Sequence, residues 1–388
     1  MVVDPNFLDL AYHYVWGDLL NKGVNPFTYD KLNQEIINFL STTPDLNIPN
    51  LSKITYLSFL EPLNYSPAYI SVMSFFSRMS FTTVVYLWAT FSYITLIASI
   101  LLLLKIQDVN LNKINLAICS FIVFSFSPVI ECTVIGQTGT FILFFLVLFI
   151  WYDKKEQPYL SAFFLSIVIQ IKPHYGIIAL LFLSKKMYKP FFATIFFYCL
   201  IDLVFVPVVG IESYVVYFKI LLPFIDSTYE NAIWLHNLSP LSSALRLFSE
   251  NMASIIKGMY FIFAVIILIY VYKNLIKSSK NIILPSEVAI MTCLALFLPP
   301  FLEDHHLVLL LVPIIIIFYN IKNLSRFWQL SFIVGYLLVA LKYSLIRFSI
   351  FTSGLPSLFY NGKLYGLIII GIVTFIYWKK NTKVACGI

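Results

Sequence analysis

The sequence predicts an all-α fold, a polytopic bundle of transmembrane helices. Of its 388 residues, 60% are hydrophobic and only 12% are charged. Soluble domains carry roughly 45–50% apolar and about 25% charged residues, so this charge content is too low to coat a soluble surface of this size. Apolar runs of about 20 residues recur, which is the length that a helix needs to cross the hydrocarbon core. Because lipid offers no hydrogen-bond partners to the backbone, these runs must be helical.

The apolar runs give about eleven membrane helices in chain order, of the length that a bilayer requires. We place them at about 81–104, 114–128, 138–152, 159–171, 174–184, 190–209, 253–272, 282–299, 307–320, 328–346 and 363–378. The two runs around Lys172-Pro173 are too short for two full crossings, which predicts a broken helix or a re-entrant hairpin that lines a cavity. Residues 1–80 then form an external catalytic loop with amphipathic or re-entrant segments. Residues 81–378 form the transmembrane domain, and residues 379–388 a cytoplasmic tail.

The distribution of lysine and arginine orients the bundle, because short basic connections face the cytoplasm. One set of connections is basic and short: Lys105, Lys113, Lys154, Lys155, Lys185, Lys186, Lys189, Lys273, Lys277, Lys280, Lys322, Arg326, Lys379, Lys380 and Lys383. The opposite set is longer and more acidic: residues 1–80, 129–137, 210–252, 300–306 and 347–362. We therefore expect a multi-pass protein of a plasma or ER-type membrane with a cytoplasmic C-terminus.

This orientation places the first 65 residues outside, although no apolar helix precedes them. Either an upstream helix precedes the given start or the N-terminus is translocated unaided. The upstream reading frame tests this, since the first alternative requires an apolar stretch of about 20 residues there.

The charge and the cysteines exclude several classes. The net charge of +7 comes from basic residues that follow the topology, so no nucleic-acid partner is expected. The five cysteines show no paired spacing in a loop, which argues against a disulfide framework or a zinc site. They are Cys119, Cys132, Cys199, Cys293 and Cys386. No cofactor is predicted.

All the histidines fall on the predicted non-cytoplasmic side, which points to chemistry on that face, since histidine titrates near neutral pH. They are His13, His174, His236, His305 and His306. The last two stand beside Glu303 and Asp304, a composition that suggests a metal. Adjacent residues seldom converge on one ion, however, and no spaced third ligand is evident, so no metal site is predicted.

Short motifs follow one another along that same side. Asp9 precedes Gly23 by fourteen residues, and a proline-aromatic pair follows the glycine. The later motifs are Tyr65-x-Pro67, Pro128 with Gly136-Gln137, Lys172-Pro173, Asn237-x-Ser239 with Arg246, and Pro300 with His305. In order and spacing they resemble glycosyltransferase family 87, polytopic enzymes of the GT-C fold that transfer mannose from a polyprenyl phosphate carrier. Three positions depart from the family pattern: Leu10 replaces an aromatic residue, Gly139 an asparagine and Glu303 a tryptophan.

The resemblance implies a role for each motif residue. Asp9 is the general base that accepts the acceptor's hydroxyl proton during an inverting attack, a role that suits a carboxylate at the membrane surface. The leaving lipid phosphate needs its charge stabilised, and Lys172 can supply that as a compact cation. His305 and Arg246 are expected at the donor phosphate or sugar. Gln137, Tyr65 and Asn237 complete the expected donor-binding set.

Each of these residues also has a structural alternative. Asp9 could be a solvated loop residue or a helix N-cap. Lys172 could be a snorkelling lysine at a helix end, and Arg246 a lipid-headgroup anchor. His305 could simply pair with its neighbouring acids, and Asn237 could belong to a glycosylation sequon.

The sequence thus predicts a membrane glycosyltransferase that uses a polyprenyl or dolichyl phosphate donor. The predicted acceptor is a hydroxyl of a glycolipid or glycan, and mannose is the hexose that the resemblance implies. A secondary transporter is the main alternative, suggested by the helix count, by Asp202 and Glu287 within apolar runs, and by the break at Lys172-Pro173. Against it, no internal repeat is evident. A flippase or scaffold for lipid-linked glycans would share the binding face but would need no base.

Overall fold

The computed structural model describes residues 7–28, 31–42, 65–221, 237–248, 250–277, 282–342 and 354–385. This part of the chain is all-helical and contains no strand. Its α-helices, numbered α1 to α17 in chain order, are Leu8–Asn21, Leu32–Thr42, Pro67–Phe76, Phe81–Ile106, Lys113–Phe124, Ser127–Val134, Gly139–Lys154, Pro158–Ile171, Leu180–Ser184, Tyr188–Val209, Ile211–Leu221, Pro240–Leu247, Ala253–Lys277, Pro285–Phe297, Leu311–Tyr319, Arg326–Ala340 and Gly362–Ala385. Short 3₁₀ segments lie at Pro173–Ala179, Glu250–Met252, Asp304–Leu310, Ile321–Asn323 and Leu355–Asn361.

Four helical stretches in the described ranges are long and apolar enough to cross a bilayer: Phe81–Ile106, Tyr188–Val209, Glu250–Lys277 and Leu355–Thr382. A fifth crossing is possible if α5 and α6, which bend by 64° at their junction, form one span. The expected count of about eleven is not confirmed, because the other apolar helices are shorter than the roughly 20 residues that a crossing needs. Many large apolar side chains of α10 and α13 are exposed, among them Phe196, Leu203 and Ile262. Such a surface suits lipid rather than water.

Two predicted helices are interrupted. The run at 114–128 ends as α5 at Phe124, and α6 begins at Ser127 with Pro128 in its first turn. Proline is favoured there because its missing N–H has no intrahelical partner. The break at Lys172-Pro173, which the sequence predicts, is present: Lys172 is extended, and a 3₁₀ segment connects it to α9.

The N-terminal region forms a separate layer of packed helices. Helix α1 lies so close to α3 that a Cβ atom on Gly17 would stand 2.5 Å from the Met73 carbonyl carbon. A buried cluster that includes Leu10, Trp16 and Trp88 joins this layer to α4. Between Asp9 and the proline-aromatic pair, α1 ends at Asn21 and Gly23 follows with φ +74°, so a helix leads into a glycine turn. This layer carries Asp9 to the edge of the larger bundle. At the other end of the chain, α17 runs through Ala385, so the expected tail at 379–388 is largely helical.

Candidate active site

Asp9 is positioned by backbone contacts between α1 and the end of α6. The Phe7 amide donates to the Val134 carbonyl (3.0 Å), and the Asp9 amide donates to the Ile135 carbonyl (3.1 Å). Asp9 is not the N-cap of α1, because Phe7 occupies that position and Asp9 lies in the first helical turn. The carboxylate therefore stands at the positive end of the helix dipole.

Gln137 and Tyr65 form a hydrogen-bonded chain that ends on Asp9. The Gln137 side-chain nitrogen donates to Asp9 Oδ2 (2.6 Å), and Tyr65 OH donates to the Gln137 side-chain oxygen (2.7 Å). Tyr65 and Gln137 are both buried. Since the tyrosine engages the amide oxygen, the NH₂ group of the glutamine is directed at the carboxylate.

Lys172 brings a positive charge to the same group. Its side chain is buried, and its Nζ lies 5.6 Å from the centre of the Tyr65 ring and in contact with Nε2 of His306. Its attraction favours the ionised form of Asp9. The ammonium therefore faces the interior, unlike a snorkelling lysine.

Residues 300–306, here called the histidine strap, run from the end of α14 into the 3₁₀ segment Asp304–Leu310. Two nitrogen atoms of His306 face different groups, because Nδ1 accepts from the Glu303 amide (3.2 Å) while Nε2 contacts Lys172. The ring centres of His305 and His306 are 4.3 Å apart. Both side chains are buried, and His305 Nε2 lies 3.4 Å from a carboxylate oxygen of Glu303, its neighbouring acid.

The two remaining described histidines surround the same place. His13 lies 4.6 Å from the Tyr65 ring, and its Nδ1 is 2.8 Å from Tyr69 OH. His174 lies 6.1 Å from the ring of His306. His236 lies outside the described residues. Four histidines from α1, from the break after α8 and from the strap thus gather around one lysine.

Asn237 is hydrogen-bonded to the beginning of the strap, and Arg246 is hydrogen-bonded to Asn237. Asn237 donates to the Pro300 carbonyl (3.0 Å) and accepts from the Leu302 amide (3.1 Å). Arg246 donates to the Asn237 carbonyl (2.7 Å). Asn237 is 1% exposed, so its amide is closed to a glycosylating enzyme. Asn237 thus holds the beginning of the strap, and Arg246 supports Asn237.

Glu303, His305 and His306 could together offer ligands to a metal ion. Their ligand atoms lie within 4.8 Å of one another, so the expectation that such neighbours would not converge is wrong. His306, however, already contacts Lys172 through Nε2 and the Glu303 amide through Nδ1. An ammonium group beside a cation site raises its energy by direct repulsion. The contact of His306 with Lys172 therefore disfavours a metal cation at this group.

Burial tunes the carboxyl groups of the site. It raises the pKa of Asp9 to about 6, against the hydrogen bond from Gln137 and the attraction of Lys172, which lower it. Burial also raises the pKa of Glu303, which lies at the strap. A carboxylate with a pKa near the working pH is an effective general base. The site therefore combines a carboxyl group whose pKa is raised to about 6 with a buried lysine.

Sequence reasoning missed two residues here. It selected His305, whereas His306 is the histidine that contacts Lys172. It also passed over Lys363, whose ammonium bonds to Asp304 in the strap (2.6 Å). The signal for Lys363 was available, since it is a lysine at a helix end on the predicted non-cytoplasmic side, as Lys172 is.

Of the comparisons with known proteins, one identifies a family. The model of glycosyltransferase family 87 matches residues 63–300, which is more than half of the chain. No curated protein and no solved structure matches the chain. The match includes Tyr65, Gln137, Lys172 and Asn237, and Asp9 and the end of the strap lie beyond it.

Proposed function

The chain belongs to glycosyltransferase family 87, and we propose on that premise that it moves a hexose from a polyprenyl or dolichyl phosphate to an acceptor hydroxyl. The acceptor is a glycolipid or a glycan, and the hexose is mannose. The observation that carries the proposal is the buried group in which Asp9, through Gln137 and Tyr65, faces Lys172 and the histidine strap. It supplies a base and a phosphate-binding cation within one site.

The proposed reaction is a single inverting displacement. Asp9 accepts the proton of the acceptor hydroxyl as that oxygen attacks the anomeric carbon. The bond from this carbon to the phosphate oxygen breaks on the opposite face, and its electron pair stays with the phosphate. Lys172 balances the charge that develops there, and His305 donates a hydrogen bond to the phosphate. His306, whose two ring nitrogens are engaged by Lys172 and by the Glu303 amide, holds Lys172 in place. No metal enters any step.

Gln137 has a second part in this scheme. Its bond to Asp9 Oδ2 holds one carboxylate oxygen and leaves the other to receive the proton. Tyr65 fixes the direction of the amide. Together they orient the base, which matters because general-base catalysis requires hydrogen-bond contact with the proton that is transferred.

The transporter alternative draws on Asp202 and Glu287. Glu287 forms an ion pair with Lys185 at 2.6 Å, and both side chains are fully buried. Asp202 accepts a hydrogen bond from Gln170 (2.6 Å). These contacts satisfy the two carboxylates within the protein as bridges between helices, so they give no support to an ion path.

The test is a transfer assay with purified protein, a lipid-linked hexose donor and membrane-lipid acceptors. Asp9→Asn should reduce the transfer rate by at least about a hundredfold, since general-base catalysis contributes about 10²–10⁴. Asp18→Asn is the matched control: Asp18 lies on the same helix and pairs with Lys22 at the surface (2.7 Å). That variant should keep its rate within about twofold.

Normal turnover by Asp9→Asn would remove Asp9 from the mechanism. If wild-type protein shows no turnover with any polyprenyl-phosphate hexose, the proposed donor is refuted. Mass spectrometry of lipids and glycans from a deletion strain identifies the acceptor, as the species that lacks one hexose. A flippase would instead change the distribution of lipid-linked glycans without removing a hexose.

A further inference from the structure

Lys363 stands at the start of α17 and is 3% exposed. Its Nζ donates to Asp304 Oδ2 (2.6 Å) and to Ser127 Oγ (3.0 Å). A buried ammonium is costly unless its partners are well placed. Its position between two defined partners therefore indicates a specific task.

The two partners belong to the two segments that hold the candidate active-site residues, the histidine strap and α6. Asp304 is part of the histidine strap and lies between Glu303 and His305. Ser127 begins α6. The far end of α6 receives the backbone bonds from Phe7 and Asp9.

Lys363 therefore links α6, whose end positions the proposed base, to the histidine strap, which carries the proposed phosphate-binding residues. The end of α6 holds Asp9 and leads to Gln137, and the strap contains His305 and His306. Asn237 holds the strap nearer its beginning, through Pro300 and Leu302. The bond to Lys363 holds it at Asp304, directly beside the histidines.

We propose that Lys363 is a positioning residue, which keeps the histidine strap in register with Asp9 and Gln137. The catalytic part of this inference rests on the proposed function. Sites carried on loops need such support, because they are otherwise held less precisely than sites on helices. A displacement of about 1 Å can cost about a hundredfold in rate.

The kinetic test uses Lys363→Met, which keeps the length of the side chain and removes its charge. We expect kcat to fall by roughly 10- to 100-fold, while KM for the donor stays within about threefold, because Lys363 does not touch the donor. Asp304→Asn should behave similarly. The double variant should be no slower than the slower single variant, since both changes remove one interaction.

Lys154→Met is the matched control. Lys154 also bonds to a carboxylate, Asp108 (2.9 Å), and to a carbonyl oxygen, that of Ile106 (2.7 Å), in a different part of the fold. Its kcat should stay within about twofold of wild type. An unchanged kcat in Lys363→Met, or additive losses in the double variant, overturns the inference.

Hydrogen–deuterium exchange provides a measurement that does not depend on turnover. Lys363→Met should speed exchange in peptides that cover residues 127–137 and 300–310, because backbone protection reports local opening. Unchanged exchange in both peptides would refute the proposal that Lys363 holds the strap and α6 in place. If wild-type protein transfers no hexose, the proposed function fails, and the exchange data alone then decide whether Lys363 braces the strap. If Lys363→Met cannot be purified, Asp304→Asn supplies the same comparison.

Discussion

At the scale of single residues, the state of Asp9 reflects opposing influences. Burial disfavours its ionised form, and Gln137 and Lys172 favour that form. The balance puts the pKa at about 6, where the group is mostly ionised at neutral pH and can still take up a proton. With Asp9 as the proposed base, this setting should make the activity sensitive to mild acid.

We predict that kcat/KM for hexose transfer falls as the pH is lowered through about 6. Asp9 must be deprotonated to act as a base, so activity is retained above its pKa and lost below it, by about tenfold per pH unit. A pH–rate profile of purified protein measures this. A flat profile between pH 5 and 7, at constant donor binding, would contradict the role of Asp9.

Gln137→Leu should shift this fall in kcat/KM to higher pH. The change removes the hydrogen bond that favours the ionised carboxylate, so the pKa of Asp9 rises further. Gln157→Leu, at an exposed position, is the control and should leave this fall at the same pH as in wild type. If kcat/KM of Gln137→Leu falls at the same pH as in wild type or at a lower pH, this bond does not set the protonation state of Asp9.

The motif pattern was sufficient to select Asp9, Tyr65, Gln137 and Lys172, which the structure brings together. It could not separate His305 from His306, because the strap enters a 3₁₀ segment whose side-chain directions differ from those of an α-helix. It also could not show that Asn237 is bonded to the strap. That position depends on contacts between residues some 65 positions apart, which spacing along the chain does not encode.

At the scale of elements, the docking of α1 on the end of α6 positions Asp9. The turn between α6 and α7 contains Gly136 at φ +76°. A Cβ atom there would lie 2.6 Å from Cβ of Leu10. The close approach of the two helices therefore requires a glycine.

Gly136→Ala should reduce transfer by more than about tenfold, since it combines left-handed strain of about 1–2 kcal/mol with a collision against α1. Gly210→Ala is the matched control. Gly210 has φ +77°, but nothing lies within 4 Å of its Cβ position, so that variant has the strain without the collision. Equal activity of the two variants would argue that the docking of α1 on α6 does not control the transfer rate.

Helix positions were easier to predict than helix continuity. The span at Phe81–Ile106 follows directly from a long apolar run. The expected continuous helix at 114–128 breaks instead, because Phe126 adopts an extended conformation ahead of Ser127-Pro128. In a continuous helix Pro128 would have no N–H for the Phe124 carbonyl and its ring would collide with that group. Proline in a first turn instead starts a new helix. Hydrophobicity alone does not register such a break.

At the scale of the whole molecule, the proposed orientation puts the site on the non-cytoplasmic face. In a cysteine-free background, Lys22→Cys should react with a membrane-impermeant maleimide in intact cells. Lys155→Cys should react only after permeabilisation, because the basic connections face the cytoplasm. Both lysines are exposed, so access through the membrane decides the result. The reverse pattern would place Asp9 in the cytoplasm.

The most direct measurement of the central claim is a structure of the protein with a polyprenyl-phosphate hexose bound. We predict that the donor phosphate lies within about 4 Å of Lys172 Nζ, the distance of an ion pair, beside the histidine strap. The anomeric carbon should face Asp9, with room for an acceptor hydroxyl between them. A phosphate bound elsewhere, with Asp9 turned away from the sugar, would contradict the account.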